Sequence, residues 1–192
     1  MKTTTVLLCG VGGQGTISAA DILARAIMGA GMQVKISEIH GMSQRGGAVT
    51  TVVRFGDDVK SMVSDLGCAD VVVSFEVTEA MRCVSHLAQE GSMIVNVEHI
   101  KPLPVLAGKA RMPFKGEDYL KDLGALLVPA HDIAVSAGNP KTMNVVLIGA
   151  LSKRLDIPVE VWEEAIAGRV PPKTVEANLA AFHAGRAYID TL

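Results

Sequence analysis

The stretch Val6-Leu7-Leu8-Cys9-Gly10-Val11-Gly12-Gly13-Gln14-Gly15 decides how the chain is read. A short apolar, β-prone run ends in glycines, and after Gln14 the residues Ile17, Ala20, Leu23, Ala24, Ile27 and Met28 recur at helical spacing up to Gly29 and Gly31. Strand, glycine turn and helix follow one another. Gly10, Gly12 and Gly15 fit the G-x-G-x-x-G spacing, in which glycines let the backbone approach a phosphate at a helix N-terminus. A second strand is expected over Gln33–Ile39, with Glu38 near its end, where a dinucleotide-binding fold places its ribose-binding acid. Three readings stand at this point: an NAD site, a tight turn and nothing more, or a turn facing a ligand held mainly by another subunit.

Working outward, the run Asp70-Val71-Val72-Val73-Ser74-Phe75 is β-branched without alternation, as in a strand covered on both faces, and Val77, Ala80, Met81, Val84 and Ala88 form the expected next helix. Further strands are expected at Met93–Val97 and Ala125–Pro129, joined by a Pro-rich connection over Ile100–Pro113. Between the second strand and the valine run, Val49, Thr51, Val53 and Phe55 alternate with Thr50, Val52 and Arg54. Gly56-Asp57-Asp58 then turns the chain into Val59–Ser64, which predicts an antiparallel hairpin inserted at one side. From about residue 140 to 192 the pattern is a helical tail, with helices around Met143–Leu151, Val159–Ala167 and Thr174–Ile189. Its Met and Ala residues suggest assembly with another chain. The expectation is one α/β domain over 1–192: a Rossmann-like, mostly parallel sheet with an inserted antiparallel hairpin and a C-terminal helical tail.

Composition narrows the function classes. Apolar residues make up 49% of the chain and aromatics 4%, so the core is aliphatic, as layered α/β proteins build it. The 18 basic and 20 acidic residues give a net charge of −2 and no footprint for nucleic acid or an anionic membrane. No apolar run approaches a membrane span or a signal segment, so a cytoplasmic protein is expected. The cysteines Cys9, Cys68 and Cys83 lie far apart, so this chain alone is not expected to hold an iron–sulfur cluster or another metal.

The glycine turn also has a neighbour. His40, followed by Ser43, Gln44 and Arg45 between Gly41 and Gly46-Gly47, makes a polar cluster expected at the carboxyl edge of the sheet beside the turn. No catalytic set for hydride transfer accompanies it: His86 falls on a helix, and His99 and His131 fall in loops without an evident acid. No catalytic residue is therefore assigned to this chain.

Four blocks in order, "GVGGQG", "EIHGMSQRGG", "FEVTEAMR" and "GNPKTMNVVLIGAL", together resemble the gamma-type subunits of 2-oxoacid:ferredoxin oxidoreductases from Thr4 to about Leu151. The His-Gly-Met-Ser-Gln-Arg-Gly-Gly form of the second block is most similar to the indolepyruvate branch. The resemblance implies oxidative decarboxylation of a 2-oxoacid to an acyl-CoA, with electrons passed to ferredoxin. It also implies that thiamine diphosphate and the iron–sulfur clusters sit on a large alpha subunit, in a dimeric or hetero-oligomeric complex, and that the isolated chain is inactive. Gly10, Gly12, Gly13, Gln14 and Gly15, with Ser43, Gln44, Arg45, Gly46 and Gly47, are then expected to form one wall of the site where the acid or coenzyme A arrives. Arg45 is the expected anion contact, because its planar fork grips a carboxylate or phosphate in two places. Gln14 and Gln44 offer amide donors or loop caps. Glu38, His40, Glu76, Asn139, Lys141 and Asn144 are candidates for ligand or interface contact, with a carboxylate facing the helix dipole the simpler account of Glu76 and helix capping that of Asn139. A stand-alone NAD(P)-binding dehydrogenase or redox sensor remains the alternative, and an orphan interaction module a third.

Overall fold

The computed structural model describes residues 3–40 and 46–192. Strands β1 (Thr4–Val11), β2 (Gln33–His40), β3 (Ala48–Gly56), β4 (Ala69–Ser74), β5 (Leu87–Asn96) and β6 (Leu126–Val128) form one sheet in the order β2-β3-β1-β4-β5-β6. β1, β4, β5 and β6 pair in parallel, whereas β3 lies antiparallel to both β1 and β2. The helices are α1 (Thr16–Gly29), α2 (Val77–Cys83), α3 (Leu103–Leu106), α4 (Gly116–Asp122), α5 (Ala130–Ser136), α6 (Met143–Ser152), α7 (Val159–Ala167) and α8 (Val175–Ile189).

The period of two along each strand builds a core on both faces. Val6 and Leu8 of β1 and Val71 and Val73 of β4 join the core beneath α1, α6, α7 and α8, while Leu7, Cys9 and Val72 join that beneath α2 and α4. This is the α/β sandwich expected from the valine run. α6 is apolar all round and accordingly buried from Val145 to Ser152. It packs on α8 so closely that a Cβ on Gly149 would overlap the Phe182 carbonyl, and one on Gly185 the Val146 carbonyl.

The inserted hairpin differs from the expectation. β3 exists, but its antiparallel partner is β2, in the register Glu38 to Thr51 and His40 to Val49, and β3 also pairs with β1 along its whole length. Residues 59–64 form no strand. Instead Arg54 Nη1 donates to the carbonyls of Ser61 and Val63, and Lys35 Nζ to that of Lys60. The reason is burial: β3 carries buried residues on both faces and needs a neighbour on each side, whereas Val59 alone of 59–64 is buried.

A smaller difference lies after α2. The helix expected to reach Ala88 ends at Cys83, passes through a 3-10 turn at Val84–His86, and gives way to β5, which begins at Leu87. Many apolar residues of the C-terminal helices pack inside the chain; Met143 is half-buried and Ala150 fully buried.

Candidate functional site

The glycine turn opens at the carboxyl end of β1. Gly10 is demanded by close approach: a Cβ there would lie 2.8 Å from Phe75 Cβ and 2.9 Å from Gln14 Oε1. Gly13 and Gly15 are demanded by backbone conformation, with φ of 107° and 83°. Gly15 caps α1 in the left-handed region, and no side chain caps that helix. The first N–H groups of α1 therefore lack an intrahelical partner and carry the positive end of the helix dipole.

These groups face a cleft of about 480 Å³, lined by Gly12, Gly13, Gly15, Thr16, Ile17, His40 and Val49. The size suits a small ligand. The described end of the second glycine block meets the first here, because Gly12 N–H donates to Gly47 O at 2.9 Å, with Gly46 at a φ of 74°. Ser43, Gln44 and Arg45 lie outside the described residues, as do Gly41 and Met42.

Gln14, expected to point at a ligand or cap the loop, turns inward. Its Oε1 accepts Val11 N–H at 2.8 Å, and its Nε2 donates to Phe75 O at 2.8 Å and to Glu98 Oε2 at 3.0 Å. These bonds fasten the turn to the end of β4 and to the segment after β5. Buried Asn96 completes the fastening: Nδ2 donates to Phe75 O at 3.1 Å and Glu98 Oε2 at 3.2 Å, and Oδ1 accepts Ala130 N–H at 3.1 Å. Sequence reasoning missed Asn96 and Glu98. The signal was present in two polar residues closing an apolar strand at the sheet's carboxyl edge.

Glu76 is fully employed as well. Buried at the start of α2, it accepts Glu79 N–H on Oε2 at 2.8 Å and Ile100 N–H on Oε1 at 3.1 Å, so its carboxylate is a helix cap and a loop tie. Asn139 caps the 3-10 turn before α6 by accepting Lys141 N–H at 3.0 Å. Asn144 stands against the turn, with Nδ2 3.4 Å from Gly15 O, and Lys141 is exposed. Glu38 is exposed on β2. Because β3 separates β2 from β1, Glu38 sits on the strand two away from β1, about 10 Å across the sheet, rather than on the adjacent strand where a ribose-binding acid belongs.

His99 has an acid after all: Nε2 lies 2.7 Å from Glu117 Oε1, a half-exposed pair that is not part of the cleft lining. On α2, burial raises the Glu79 carboxyl above its ordinary range, with Arg82 opposing the shift at 3.4 Å. Cys9 Sγ donates to Glu79 O at 3.8 Å in the core, and the neighbouring Cys83 together with burial pushes the Cys9 thiol well above the ordinary cysteine range.

These residues do not fit the groups of hard redox chemistry. The cysteine pair is buried among aliphatic side chains, Cys68 is exposed, and the described residues contain no group of three metal-capable side chains. The cleft's described lining has no paired carboxylates to hold a metal-bound diphosphate. What the arrangement can do is present backbone dipoles and a shaped apolar wall to an anionic ligand.

Residues 5–188 match the family described as pyruvate ferredoxin/flavodoxin oxidoreductase. The indolepyruvate oxidoreductase subunit IorB of Thermococcus kodakarensis is 42% identical over 192 residues, covering 96% of this chain and 95% of the relative. Its counterpart in Pyrococcus horikoshii is also 42% identical, over 194 residues, with 96% and 95% covered. In structure, the chain superimposes on the gamma subunit of a keto/oxoacid ferredoxin oxidoreductase from Geobacter sulfurreducens with a TM-score of 0.74, at 23% identity and with 98% and 99% of the two chains covered.

Proposed function

We infer that this chain, which belongs to the pyruvate ferredoxin/flavodoxin oxidoreductase family, is the small subunit of a 2-oxoacid:ferredoxin oxidoreductase and serves an aryl 2-oxoacid of the indolepyruvate type. In that complex a large alpha subunit carries thiamine diphosphate and the iron–sulfur clusters. The oxoacid loses carbon dioxide, its acyl group passes to coenzyme A, and the electrons leave on ferredoxin. The thiamine diphosphate supplies the carbanion chemistry, and this chain supplies a wall of the site.

The observation that carries this reading is the uncapped N-terminus of α1 opening onto a cleft that the Gly12–Gly47 bond joins to the second glycine block. Backbone N–H groups at a helix start favour a carboxylate or phosphate. Arg45, with Ser43 and Gln44, supplies the anion contact in this reading, His40 lines the cleft, and Gly46 and Gly47 let the loop approach the turn. Lys141 and Glu38 meet charged groups of the partner subunit, while Asn144 steadies Gly15. The complex works in the cytoplasm; no described helix is long and apolar enough to cross a membrane.

A stand-alone dehydrogenase is not supported. The second strand is displaced by β3, and the relatives are named as subunits of oxoacid oxidoreductases. The test is a substrate panel on the assembled complex. With coenzyme A and ferredoxin present, kcat/KM for indolepyruvate should exceed that for pyruvate and 2-oxoglutarate, and Arg45→Ala should raise the KM for the acid or coenzyme A by about 10- to 100-fold. Equal turnover of all three acids would refute the aryl assignment, and unchanged kinetics in Arg45→Ala would refute the anion site.

A further inference from the structure

We propose that residues 101–115 form a docking lobe for an acidic, apolar-centred face of the large subunit, an inference resting on the subunit reading above. Between Ile100 and Gly116 the sequence holds Lys101, Lys109, Arg111 and Lys115 and no Asp or Glu, in a chain whose net charge is −2. None of the four cations forms an ion pair with a described residue; Lys115 Nζ lies instead 5.6 Å from the centroid of the adjacent Phe114 ring. Among the same residues Leu103, Leu106 and Phe114 are 76%, 67% and 87% exposed.

The lobe is folded on itself. The N–H groups of Val105 and Leu106 donate to Pro102 O, and those of Lys109 and Ala110 to Pro104 O, while no residue from 101 to 115 enters either core. Its two ends are nevertheless fixed. Ile100 N–H is held by Glu76, the His99–Glu117 pair spans the base, and Gly116 sits where a Cβ would lie 3.0 Å from Met81 Sδ and Val77 Cγ1. The lobe is thus rooted at the start of α2, at the same carboxyl end of the sheet where Phe75 O and Glu98 receive Gln14. A surface that continues from this end of the sheet is placed to meet the subunit that completes the site.

Charge and apolarity together choose the occupant. Four uncompensated cations select a partner carrying carboxylates, and they steer and align it. Three large apolar side chains at such exposure suit a lasting interface with a dry centre, whereas a transient redox contact is smaller and more polar. Ferredoxin is therefore the competing occupant that the experiment must separate.

The test uses the complex. The chain carrying Lys101→Glu, Lys109→Glu, Arg111→Glu and Lys115→Glu should melt at the unsubstituted temperature, because none of these residues packs in a core, yet bind the large subunit roughly 100-fold more weakly. The unsubstituted pair should weaken with added salt, as screened charges do. A second variant, Leu103→Ser with Phe114→Ser, should also weaken assembly while keeping that salt dependence. Assembly at unsubstituted affinity in both variants would overturn the proposal. So would intact assembly with a raised KM for ferredoxin, which would assign the lobe to the electron acceptor. Failure of the unsubstituted chain to bind the large subunit at all would overturn the subunit reading itself, and this proposal with it.

Discussion

Gln14→Ala separates a residue that faces ligand from one that fastens the turn. The substitution removes the acceptor for Val11 N–H and the donor to Phe75 O and Glu98 Oε2. Asn96 Nδ2 still serves Phe75 O and Glu98, so the unmet groups are chiefly the Val11 N–H and part of a carboxylate. A neutral bond contributes about 1 kcal/mol and one to a charged group about 1.5–3 kcal/mol, so the loss should be roughly 2–4 kcal/mol. In a chain of this size that lowers Tm by about 5–15 °C. Urea unfolding of the purified chain measures it, with Gln14→Glu as a comparator. The glutamate keeps an acceptor for Val11 but turns its second oxygen toward Phe75 O and the Glu98 carboxylate. It should therefore be less stable than Gln14→Ala at neutral pH and recover on acidification, as protonation restores a donor. A loss below about 0.5 kcal/mol in Gln14→Ala, within the range of ordinary surface changes, would refute the fastening role.

Three further outcomes follow from the same contacts. Glu76→Ala, by removing the acceptor for both Glu79 N–H and Ile100 N–H, should destabilise the chain by about 2–4 kcal/mol in chemical denaturation. Glu79→Gln should raise stability at neutral pH. Burial lifts the Glu79 carboxyl, so the native state binds its proton more tightly and loses stability as pH rises from the unfolded to the folded pKa; the gain should vanish at pH values below the ordinary carboxylate range in a melting series. Gly149→Ala and Gly185→Ala, each driving a methyl into a backbone carbonyl of the facing helix, should each cost at least about 1–3 kcal/mol by unfolding.

The parts of this fold written in local periodicity were readable from the chain: β1 and its glycine turn, the doubly covered β4, and the three C-terminal helices. The placement of β3 was not, because strand alternation shows that a residue run is half-buried and says nothing about which neighbour it pairs with. The turn at Gly56-Asp57-Asp58 points to Val59–Ser64 as the partner, whereas β3 pairs with β2 on one side and β1 on the other. At the site, the resemblance located the turn, but the direction of a side chain depends on contacts from distant segments. Gln14 points inward because Phe75 and Glu98, 61 and 84 positions away, accept its amide. Asn139 reads as a cap from its position alone, and a capping bond is what its side chain forms, whereas Glu76, read as a carboxylate facing the helix dipole, goes further and caps α2 through Glu79 N–H.

The central claim is that this chain completes a site begun on another subunit. Its most direct measurement is indolepyruvate-dependent reduction of ferredoxin, in the presence of coenzyme A, by the separately purified large subunit before and after this chain is added, with NADH titration of the chain alone in parallel. The account predicts no turnover by the chain alone, little by the large subunit alone, stoichiometric restoration on mixing, and no saturable NADH binding. Full turnover by the large subunit without this chain, or micromolar NADH binding by the chain on its own, would contradict it.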